Sequence, residues 1–445
     1  MSDRPEHIVI VGAGAAGLMA ARVLARGGKR VTILEARERC GGRIHPLPAA
    51  KFGYPADLGA EFVHGEAPLT RRLAREAALT VRTIGGAQWS FDGTEFSREN
   101  RRDPYDEQLH AAVKDLTGDI TVADFLRRHF AGPEYARLRH AVERMVEGYD
   151  AADPERASTL ALRDEWMNDG HATQARIDGG YGGLVDFLAA ECRRSGVAIH
   201  FSAVVTSIEQ SGGKVAVRAA GETHGCDRVI LTVPLPLLRE IALPPAARAK
   251  AAASDDIGFG SVIKILLRFT RPWWREQRQD LSDMLFLLSD ATIPVWWTRQ
   301  PDQHPVLTGW FGGPRTAELS HLDPQGLIGI GIDSLAAIFG LSREDIAREV
   351  VAAAAANWAH DPFARGAYEP RGARASRARR RPCAVFRRGA LSRSRHGNGG
   401  GCPRERNGDC GNDLAGMRKK ARISAGLLSH QRPPPKLNVT PGPPP

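Results

Sequence analysis

The sequence predicts an α/β fold in which a parallel-sheet domain is joined to a second domain of mixed sheet and helices. Three features indicate this fold: an N-terminal strand–glycine–helix pattern, alternating apolar and polar residues in the middle of the chain, and a further apolar strand pattern beyond residue 257. At 445 residues the chain is long enough for two or three domains with a sizeable apolar core.

The chain opens with a short strand followed by three regularly spaced glycines. Ile8 to Val11 is an apolar, β-branched run of the kind that forms a buried parallel strand. Gly12, Gly14 and Gly17 follow it with the spacing G-x-G-x-x-G. In this arrangement the first glycine makes the tight turn and the second lets a pyrophosphate approach the backbone. The third lets the helix pack closely on the strand.

A helix and a second strand complete this unit. Leu18 to Arg26 is rich in alanine and leucine and predicts a helix whose N-terminal amides face the phosphates. Val31 to Leu34 is the second strand, and it ends at Glu35, which is placed to accept hydrogen bonds from a ribose. These elements in this order form a Rossmann-like dinucleotide fingerprint, which by itself does not separate NAD from FAD.

The residues after the fingerprint favour FAD. The stretches EARERCGGRIHPL, from Glu35, and DLGAEFVHG, from Asp57, resemble the flavin-containing amine oxidase family, which includes monoamine and polyamine oxidases and histone lysine demethylases. The resemblance implies a two-domain fold with non-covalent FAD, with Arg43 at the flavin phosphates and residues 57–60 beside the ring system. Chemically this is suitable, because arginine pairs with phosphate in a bidentate manner and small residues admit a flat ring.

The same resemblance implies a set of cofactor-contacting residues. Val205 belongs to it because the family binds adenine through a valine backbone at this position. The stretch IDGGYGGLVDFLAAE, which begins at Ile177, resembles the family's return into the FAD-binding domain. The implied set is Gly12, Gly14, Ala15, Ala16, Gly17, Glu35, Ala36, Arg37, Gly42, Arg43, Leu58, Gly59, Ala60, Glu61 and Val205.

Lys264 is the predicted catalytic residue. It lies in the apolar pattern DIGFGSVIKILLRF, where the family places a lysine that holds a water near flavin N5. The resemblance implies the same role for Lys264, and a lysine inside an apolar strand needs a partner because an unpaired buried ammonium is costly. From the period-2 alternation alone, Lys264 could equally face solvent.

Two blocks are predicted to form the substrate side. Ile84 to His171 shows a helical pattern with paired charges, and Gly258 to Tyr368 holds six of the eight tryptophans, of which one or two are expected to face the pocket. His64 and Glu61 are candidates for meeting a cationic substrate, although both could equally serve structure. The six tryptophans are Trp273, Trp274, Trp296, Trp297, Trp310 and Trp358.

The predicted domains are discontinuous in sequence. Residues 1–84 and 177–256 form the FAD-binding domain. Residues 85–176, which are expected to be helical, and residues 257–368 form the substrate domain. Residues 369–445 form a tail rich in arginine, glycine and proline that is predicted to be disordered.

The tail differs from the rest of the chain in composition. Residues 369–445 contain 18 Lys and Arg against 4 Asp and Glu, whereas residues 1–368 contain 43 against 47. The tail has only nine Leu, Ile, Val or Phe, too few to offset the entropy of ordering it. A basic RNA-binding arm is the alternative interpretation, but Phe386 is the only aromatic residue in the tail, which argues against that partner.

We expect the tail to be the out-of-frame translation of a family C-terminus. The family ends with F-A-G-E and then G-T-V-x-G-A-x-x-S-G, whereas agreement with this chain stops at Tyr368. Synonymous codons exist for Gly397–Cys410 that read G-T-V-E-G-A-L-E-S-G when started one nucleotide later, and the same shift across Val385–Ala390 reads F-F-A-G-E. This predicts a frame slip between Tyr368 and Val385, loss of the last strand and helix of the FAD-binding domain, and an unpaired sheet edge.

The predicted reaction is oxidation of an amine C–N bond by hydride transfer to FAD, with reoxidation by dioxygen and release of hydrogen peroxide. A small-molecule amine and dioxygen are the expected partners, with no nucleic acid and no membrane. The altered tail is expected to impair this activity in the chain as it stands. The alternatives are a related flavoprotein that desaturates carotenoids or oxidises porphyrinogens, and an inactive remnant that binds no flavin.

The cysteines and the hydropathy pattern predict the compartment. Cys40, Cys192 and Cys226 are scattered singly and form no metal-ligand or redox spacing, as in a reducing compartment. No signal peptide precedes the first strand, and no apolar run approaches membrane-spanning length. A cytoplasmic location is therefore expected.

Overall fold

The computed structural model describes residues 4–98, 103–166, 174–252, 257–277, 280–367 and 385–387. The predictions of a disordered and out-of-frame tail therefore lie outside the described residues, apart from residues 385–387. The helices are α1 (Ala15–Arg26), α2 (Ala49–Phe52), α3 (Pro68–Glu76), α4 (Asp106–Lys114), α5 (Val122–His129), α6 (Ala136–Gly148), α7 (Thr159–Trp166), α8 (Gly182–Arg194), α9 (Pro245–Ala252), α10 (Pro324–Phe339) and α11 (Arg343–Glu349).

The strands of the described residues belong to five sheets, two of them large. The strands are β1 (His7–Val11), β2 (Arg30–Leu34), β3 (Pro46–Leu47), β4 (Ala56–Asp57), β5 (Phe62–His64), β6 (Val81–Thr83), β7 (Ala87–Phe91), β8 (Phe96–Arg98), β9 (Gln174–Ile177), β10 (Ala198–His200), β11 (Val205–Ser211), β12 (Lys214–Ala219), β13 (Glu222–Cys226), β14 (Arg228–Leu231), β15 (Val262–Phe269), β16 (Met284–Ser289), β17 (Val295–Trp297), β18 (Val306–Gly312), β19 (Val350–Asn357) and β20 (Val385–Arg387).

The predicted Rossmann-like unit forms part of a five-stranded sheet. Its strand order is β10-β2-β1-β14-β20, and the first four strands run parallel. Ile8 and Ile10 pack in one core cluster with residues of α1 and α8, whereas Val9 and Val11 pack on the other face with the sheet β11-β12-β13. Burial on both faces explains why β1 is an unbroken apolar run rather than an alternating one.

The last edge of this sheet is paired, although the sequence predicts that it is not. β20 runs antiparallel to β14, with Ile230 opposite Val385 and Arg228 opposite Arg387. The expectation of an unpaired edge is therefore wrong over these residues. Sheet pairing uses backbone groups, which every residue except proline carries in full, so a short extended segment can supply it whatever its side chains are.

The second large sheet has seven strands and supports the substrate side. Its order is β19-β15-β18-β17-β16-β7-β8, and all of its pairs are antiparallel except β16 with β7. Leu335 and Ile338 of α10 pack against Ile263 and Ile265 of β15 on one face. No single described helix is long and apolar enough to cross a membrane, and α10 with α11 passes that test only as a pair bent by 118°.

The first substrate-side block is not entirely helical as predicted. It begins with the hairpin β7–β8, which joins the seven-stranded sheet, and only then continues with α4 to α7. In the turn, the Asp92 carboxylate accepts hydrogen bonds from the amides of Thr94 at 2.9 Å and Glu95 at 3.0 Å, and Gly93 has a φ of +100°. Asp-Gly between apolar residues is a hairpin signal, and here it outweighs the helical pattern that follows.

Candidate functional site

The turn between β1 and α1 depends on its glycines. Gly12 has a φ of +102°, a conformation that favours glycine. A Cβ on Gly17 would lie 1.9 Å from the Gly12 carbonyl oxygen, so α1 can pack on the turn only if this residue is glycine. A Cβ on Gly14 would meet nothing nearer than the Gly41 carbonyl oxygen, at 3.9 Å. Gly14 therefore borders open space, as a glycine at a phosphate site requires.

The first turn of α1 directs backbone donors into that space. Gly14 is the N-cap residue, no described side chain caps the helix, and the first turn carries no acidic residue. The amides of Ala15, Ala16 and Gly17 have no acceptor within the helix, and the helix dipole adds partial positive charge there. This is the arrangement by which helices bind phosphate.

Glu35 lies beside the same turn, at the end of β2. It is 5% exposed, and its carboxylate accepts hydrogen bonds from the amides of Ala13 at 2.6 Å and Arg37 at 2.9 Å. Its own amide donates to the His200 carbonyl at 2.8 Å, which places the connection leading to Val205 next to it. The position matches that predicted for a ribose-binding carboxylate.

The glycine pair before Arg43 packs against the turn. The Gly41 amide donates to the Ala13 carbonyl at 2.9 Å, and Gly41 forms an isolated β-bridge with Gly14. A Cβ on Gly59 would lie 1.8 Å from the Arg43 carbonyl oxygen, so the two segments are in close backbone contact. The residues predicted to follow the cofactor from phosphate to ring thus form one continuous set of backbone contacts.

The arginines of this region are held at the border with the residues before the tail. The Arg43 guanidinium lies 5.6 Å from the ring centre of Phe259 and donates a hydrogen bond to the Ala367 carbonyl. Arg37 forms an ion pair with Asp361. Both guanidinium groups are therefore anchored by residues that directly precede the tail, Asp361 and Ala367.

Lys264 reaches the same region from the seven-stranded sheet. It is 1% exposed, and its Nζ donates hydrogen bonds to the Asp57 carbonyl at 2.7 Å, the Gly59 carbonyl at 3.0 Å and the Glu61 carboxylate at 2.9 Å. The alternative that Lys264 faces solvent is therefore wrong. Its assignment to a water near the flavin stays a prediction.

Glu61 is a buried carboxylate surrounded by donors. Its Oε1 accepts hydrogen bonds from Arg176 at 2.9 Å and Arg299 at 3.4 Å, and its Oε2 accepts from Lys264 at 2.9 Å and from the Trp297 indole at 3.2 Å. Burial alone raises the pKa of a carboxyl group, but the charges of the three cations lower the pKa of Glu61 to about 2. Of the two roles considered for Glu61, this geometry favours the structural one.

Arg176 and Arg299 are absent from the residues predicted from the sequence. Arg176 also donates to the Thr298 carbonyl at 3.0 Å and is 4% exposed. The Arg299 guanidinium lies 4.7 Å from the ring centre of Tyr54. The one available signal is an arginine placed within β9, next to apolar Ile177, where a buried cation requires a counter-ion.

An aromatic group covers the Lys264 face of the seven-stranded sheet. Lys264 of β15 is directly opposite Trp310 of β18. Trp297 of β17 is opposite Phe286 of β16, and it lies two residues along β17 from the partner of Trp310, on the same face of the sheet. The ring centres of Phe62 and Trp297 are 5.4 Å apart, and those of Trp297 and Trp310 are 5.9 Å apart. We call Phe62, Phe286, Trp297 and Trp310 the aromatic wall.

The other four candidate tryptophans lie elsewhere. Trp273, Trp274 and Trp296 are buried in the core cluster that contains α10, and the Trp358 indole donates to the Leu58 carbonyl at 3.3 Å. Two of the six, Trp297 and Trp310, therefore share the face of the sheet that carries Lys264. His64 packs beside the wall, with its ring centre 5.9 Å from that of Phe62.

Asp57 is the second buried carboxyl group of the site. Gly180 packs against the Asp57 carboxyl group so closely that a Cβ on Gly180 would lie 2.7 Å from Asp57 Oδ2. Oδ2 accepts a long hydrogen bond of 3.3 Å from the Tyr181 amide. Oδ1 has no hydrogen-bond partner among the described residues. Burial raises the pKa of Asp57 to about 7, against the opposing charge of Lys264. Asp57 therefore takes up a proton far more readily than an ordinary aspartate.

This raised pKa predicts a pH dependence of stability. Between about pH 4 and 7 the folded protein keeps the Asp57 proton that the unfolded chain has lost. The free energy of unfolding therefore falls by up to about 1.4 kcal/mol for each unit by which the pH rises. Asp57→Asn is expected to remove this fall and to stabilise the protein near neutral pH. Thermal unfolding across this pH range checks it, with Asp115→Asn at an exposed position as control. Parallel pH profiles for Asp57→Asn and the parent would contradict the prediction.

The parallel sheet, the glycine turn with its uncapped helix and the carboxylate after β2 define a dinucleotide-binding α/β protein. The chain belongs to the flavin containing amine oxidoreductase family, whose sequence profile matches residues 15–390. The match extends past Tyr368, where agreement with the family was expected to stop. Membership confirms the resemblance inferred from the motifs and places the chain in a family of flavin-containing oxidoreductases.

Curated relatives include polyamine oxidases of plants. The chain is 27% identical over 307 residues to polyamine oxidase 2 of Arabidopsis thaliana, covering 62% of this chain and 61% of the relative. It is 28% identical over 402 residues to probable polyamine oxidase 4 of the same plant, covering 81% and 76%. The match spans only 26% of lysine-specific histone demethylase 1 homolog 3 of Arabidopsis thaliana. The chain thus spans less than two thirds of two of these relatives.

Solved structures of amine oxidases share the fold. A putrescine oxidase solved with putrescine bound is 20% identical, with a TM-score of 0.69 over 85% of this chain and 92% of that chain. Cyclohexylamine oxidase from Brevibacterium oxydans IH-35A is 22% identical, with a TM-score of 0.66 over 83% and 89%. The predicted α/β fold, with a Rossmann-like domain and a mixed-sheet and helical domain, is confirmed.

Proposed function

We propose that the chain binds FAD non-covalently and oxidises the C–N bond of a small-molecule amine. The observation that carries the proposal is the uncapped N-terminus of α1 beside the open space at Gly14, with Glu35 next to it. This site continues without interruption along Arg43 to residues 57–61. The relatives described above are named for amines, which supports an amine rather than a carotenoid or a porphyrinogen as substrate.

The residues present fit this cofactor. The α1 amides and Arg43 would bind the phosphates, and Glu35 would accept hydrogen bonds from the ribose. Ala60 is small, which suits a flat ring beside the backbone, and Gly59 lets the Arg43 segment pack directly against residues 57–60. When bound, FAD would supply the two-electron acceptor for the reaction.

The substrate side is supplied by the aromatic wall. Phe286 and Trp297 are 4% and 5% exposed, whereas Phe62 and Trp310 are half-buried, so the surface that the wall leaves open is that of two aromatic rings on a dry, apolar support. Such a surface disfavours an ammonium ion and favours the neutral amine, which carries the electron pair that oxidation needs. In the overall balance the amine loses two electrons and two protons to give an imine, dioxygen becomes hydrogen peroxide, and water hydrolyses the imine.

Removal of either charged contact to the cofactor is expected to weaken flavin retention. We define the frame-restored chain as the chain whose reading frame is moved one nucleotide later between codons 368 and 385. In it, Glu35→Ala and Arg43→Ala each remove a charged hydrogen bond to the cofactor, a loss of about 1.5–3 kcal/mol. We expect the affinity for flavin to fall by roughly one to two orders of magnitude. The flavin content that remains after dialysis should fall with it. Arg75→Ala, an exposed position on α3, is the control. Unchanged flavin content in both variants would count against the FAD assignment.

Product analysis separates the proposed reaction from its alternatives. A panel of small monoamines and polyamines is expected to release hydrogen peroxide in step with amine consumption. An inactive remnant would show no visible flavin absorption. A desaturase or porphyrinogen oxidase would bind flavin but release no peroxide with any amine of the panel.

A further inference from the structure

The seven-stranded sheet ends in a long strand that is paired on one side only. β19 (Val350–Asn357) has eight residues and pairs with β15, and the described residues supply no strand on its other side. The strand contains no charged residue, no proline and no glycine. Such an edge is a template for pairing with a further strand, because a row of backbone N–H and C=O groups faces outward along it.

The pairing with β15 determines which backbone groups of β19 face outward. The Trp358 amide donates to the Val262 carbonyl at 2.9 Å, and hydrogen-bonded pairs recur at every second residue of an antiparallel ladder. Counting back from Trp358, Ala354 therefore faces β15. The groups that face the open side are those of Val351, Ala353 and Ala355. They take part in no backbone hydrogen bond with the described residues.

The other sheet edges are protected against pairing between chains. β8, at the opposite end of the same sheet, has three residues and carries Arg98, which forms an ion pair with Asp283 at 2.6 Å. Of the remaining described edges, β11 and β13 carry Glu209 and Glu222, and the others have at most three residues. Short length and charge both disfavour edge-to-edge pairing. β19 has neither form of protection.

The side chains of this edge are small and apolar. Val351 is 53% exposed, more than any other large hydrophobic residue in the described part of the chain. It is followed by five consecutive alanines, Ala352–Ala356, each of which carries only a methyl group. A second backbone can therefore approach to the spacing of adjacent strands, roughly 4.8 Å, without displacing bulky side chains.

We propose that β19 is a dimerisation edge that pairs antiparallel with β19 of a second copy of this chain. Because the outward groups belong to alternate residues, two copies can exchange backbone hydrogen bonds around a two-fold axis at Ala353. Ala353 then lies opposite Ala353 of the second copy, and Val351 lies opposite Ala355. The seven-stranded sheets of the two copies become one continuous sheet.

The chemistry of the edge favours a second copy as its occupant. A two-fold pairing presents the same uncharged strand from both sides, so no like charges meet and no charged group of β19 is buried. It also covers Val351 of each copy with the alanine methyl groups of the other. One strand edge offers less than the roughly 1,200–2,000 Å² of a standard stable interface, so we expect a reversible dimer with a Kd on the order of micromolar.

Two measurements test the proposal in the full chain and in the frame-restored chain, both of which contain Val350–Asn357. Sedimentation velocity is measured from submicromolar to submillimolar protein, a range in which the chain should change from monomer to dimer. Hydrogen exchange of individual amides is measured at both ends of this range. The amides of Ala353 and Ala355 should exchange about tenfold or more slowly at the high concentration, whereas that of Ala354, which faces β15, should be equally slow at both.

Variants of the edge should weaken self-association. Val351→Lys places an ammonium group on the edge, as natural edge strands do, and should raise the dimer Kd by about tenfold or more. Val351→Thr keeps a β-branched, uncharged side chain and should remain a dimer. Ala353→Pro removes the outward amide at the axis but leaves the hydrogen bonds to β15 in place, so it should be a monomer. Val23→Lys, at an exposed valine on α1, is the control for added charge elsewhere.

Three results overturn the proposal. The first is a chain that stays monomeric over the whole concentration range. The second is a dimer that Val351→Lys and Ala353→Pro leave unchanged, because it must use another surface. The third is slow exchange at Ala353 and Ala355 that does not depend on concentration, because the edge is then paired within one chain. If the full chain aggregates or Ala353→Pro does not fold, the frame-restored chain and Val351→Lys decide, and neither measurement depends on flavin or on an amine.

Discussion

Moving the reading frame one nucleotide later between codons 368 and 385 is expected to turn a protein that retains little flavin into a yellow one. The restored tail would encode the strand and helix that close the FAD-binding domain in the family this chain resembles. That helix would bring a second helix N-terminus to the phosphates. In the chain as it stands, only residues 385–387 are described on that edge, and they run antiparallel to β14. A domain is stable by only about 5–15 kcal/mol, so we expect replacement of the family's closing helix to impair folding or flavin binding even though β20 pairs with β14.

Expression of both reading frames, with the visible flavin spectrum and peroxide release measured on each, checks this expectation. The remaining third frame is the matched control, because it also replaces the tail but restores no family motif. We expect the chain as it stands to be colourless or to aggregate, because a tail with only nine Leu, Ile, Val or Phe cannot cover the apolar core that the family's last helix would bury. A soluble, yellow, amine-oxidising product from the unshifted frame would show that the frame-slip interpretation is wrong.

The phosphate-binding part of the site could be predicted from the sequence because its determinants are local. Gly12, Gly14 and Gly17 act through backbone geometry within one turn, and Glu35 follows β2 directly. The spacing of such residues is fixed by the βαβ unit itself. The positions of these four residues can therefore be predicted without knowledge of any long-range contact.

The buried charge group could not be predicted, because its members meet only after the fold is complete. Arg176 and Arg299 are separated from Glu61 by 115 and 238 positions in the chain. The orientation of Lys264 was likewise open, since residues on both faces of β15 are buried and the strand therefore shows no alternation. What decides the face is the packing of residues 57–61 against that sheet, which no strand pattern encodes.

Gly14→Ala and Gly17→Ala are expected to fail in different ways, although both add one methyl group to the same motif. At Gly17 the methyl group would lie 1.9 Å from the Gly12 carbonyl, so α1 must move off the turn and the protein should lose stability or fail to fold. At Gly14 the methyl group meets no protein atom within 3.9 Å, and the backbone φ of −70° suits alanine. That variant should fold with the thermal stability of the parent apoprotein.

The Gly14 methyl group would instead occupy the space in front of the α1 amides, where the phosphates are proposed to bind. Crowding by one methyl group costs about 1–3 kcal/mol, so in the frame-restored chain we expect flavin affinity to fall by about tenfold to a hundredfold. Flavin titration and apoprotein melting on the same samples separate the two effects, and Gly118→Ala, where a Cβ meets nothing within 4 Å, serves as control. If Gly14→Ala binds flavin like the parent, phosphate does not approach at Gly14. If it instead melts at a lower temperature with flavin absent, the space at Gly14 is needed by the protein itself.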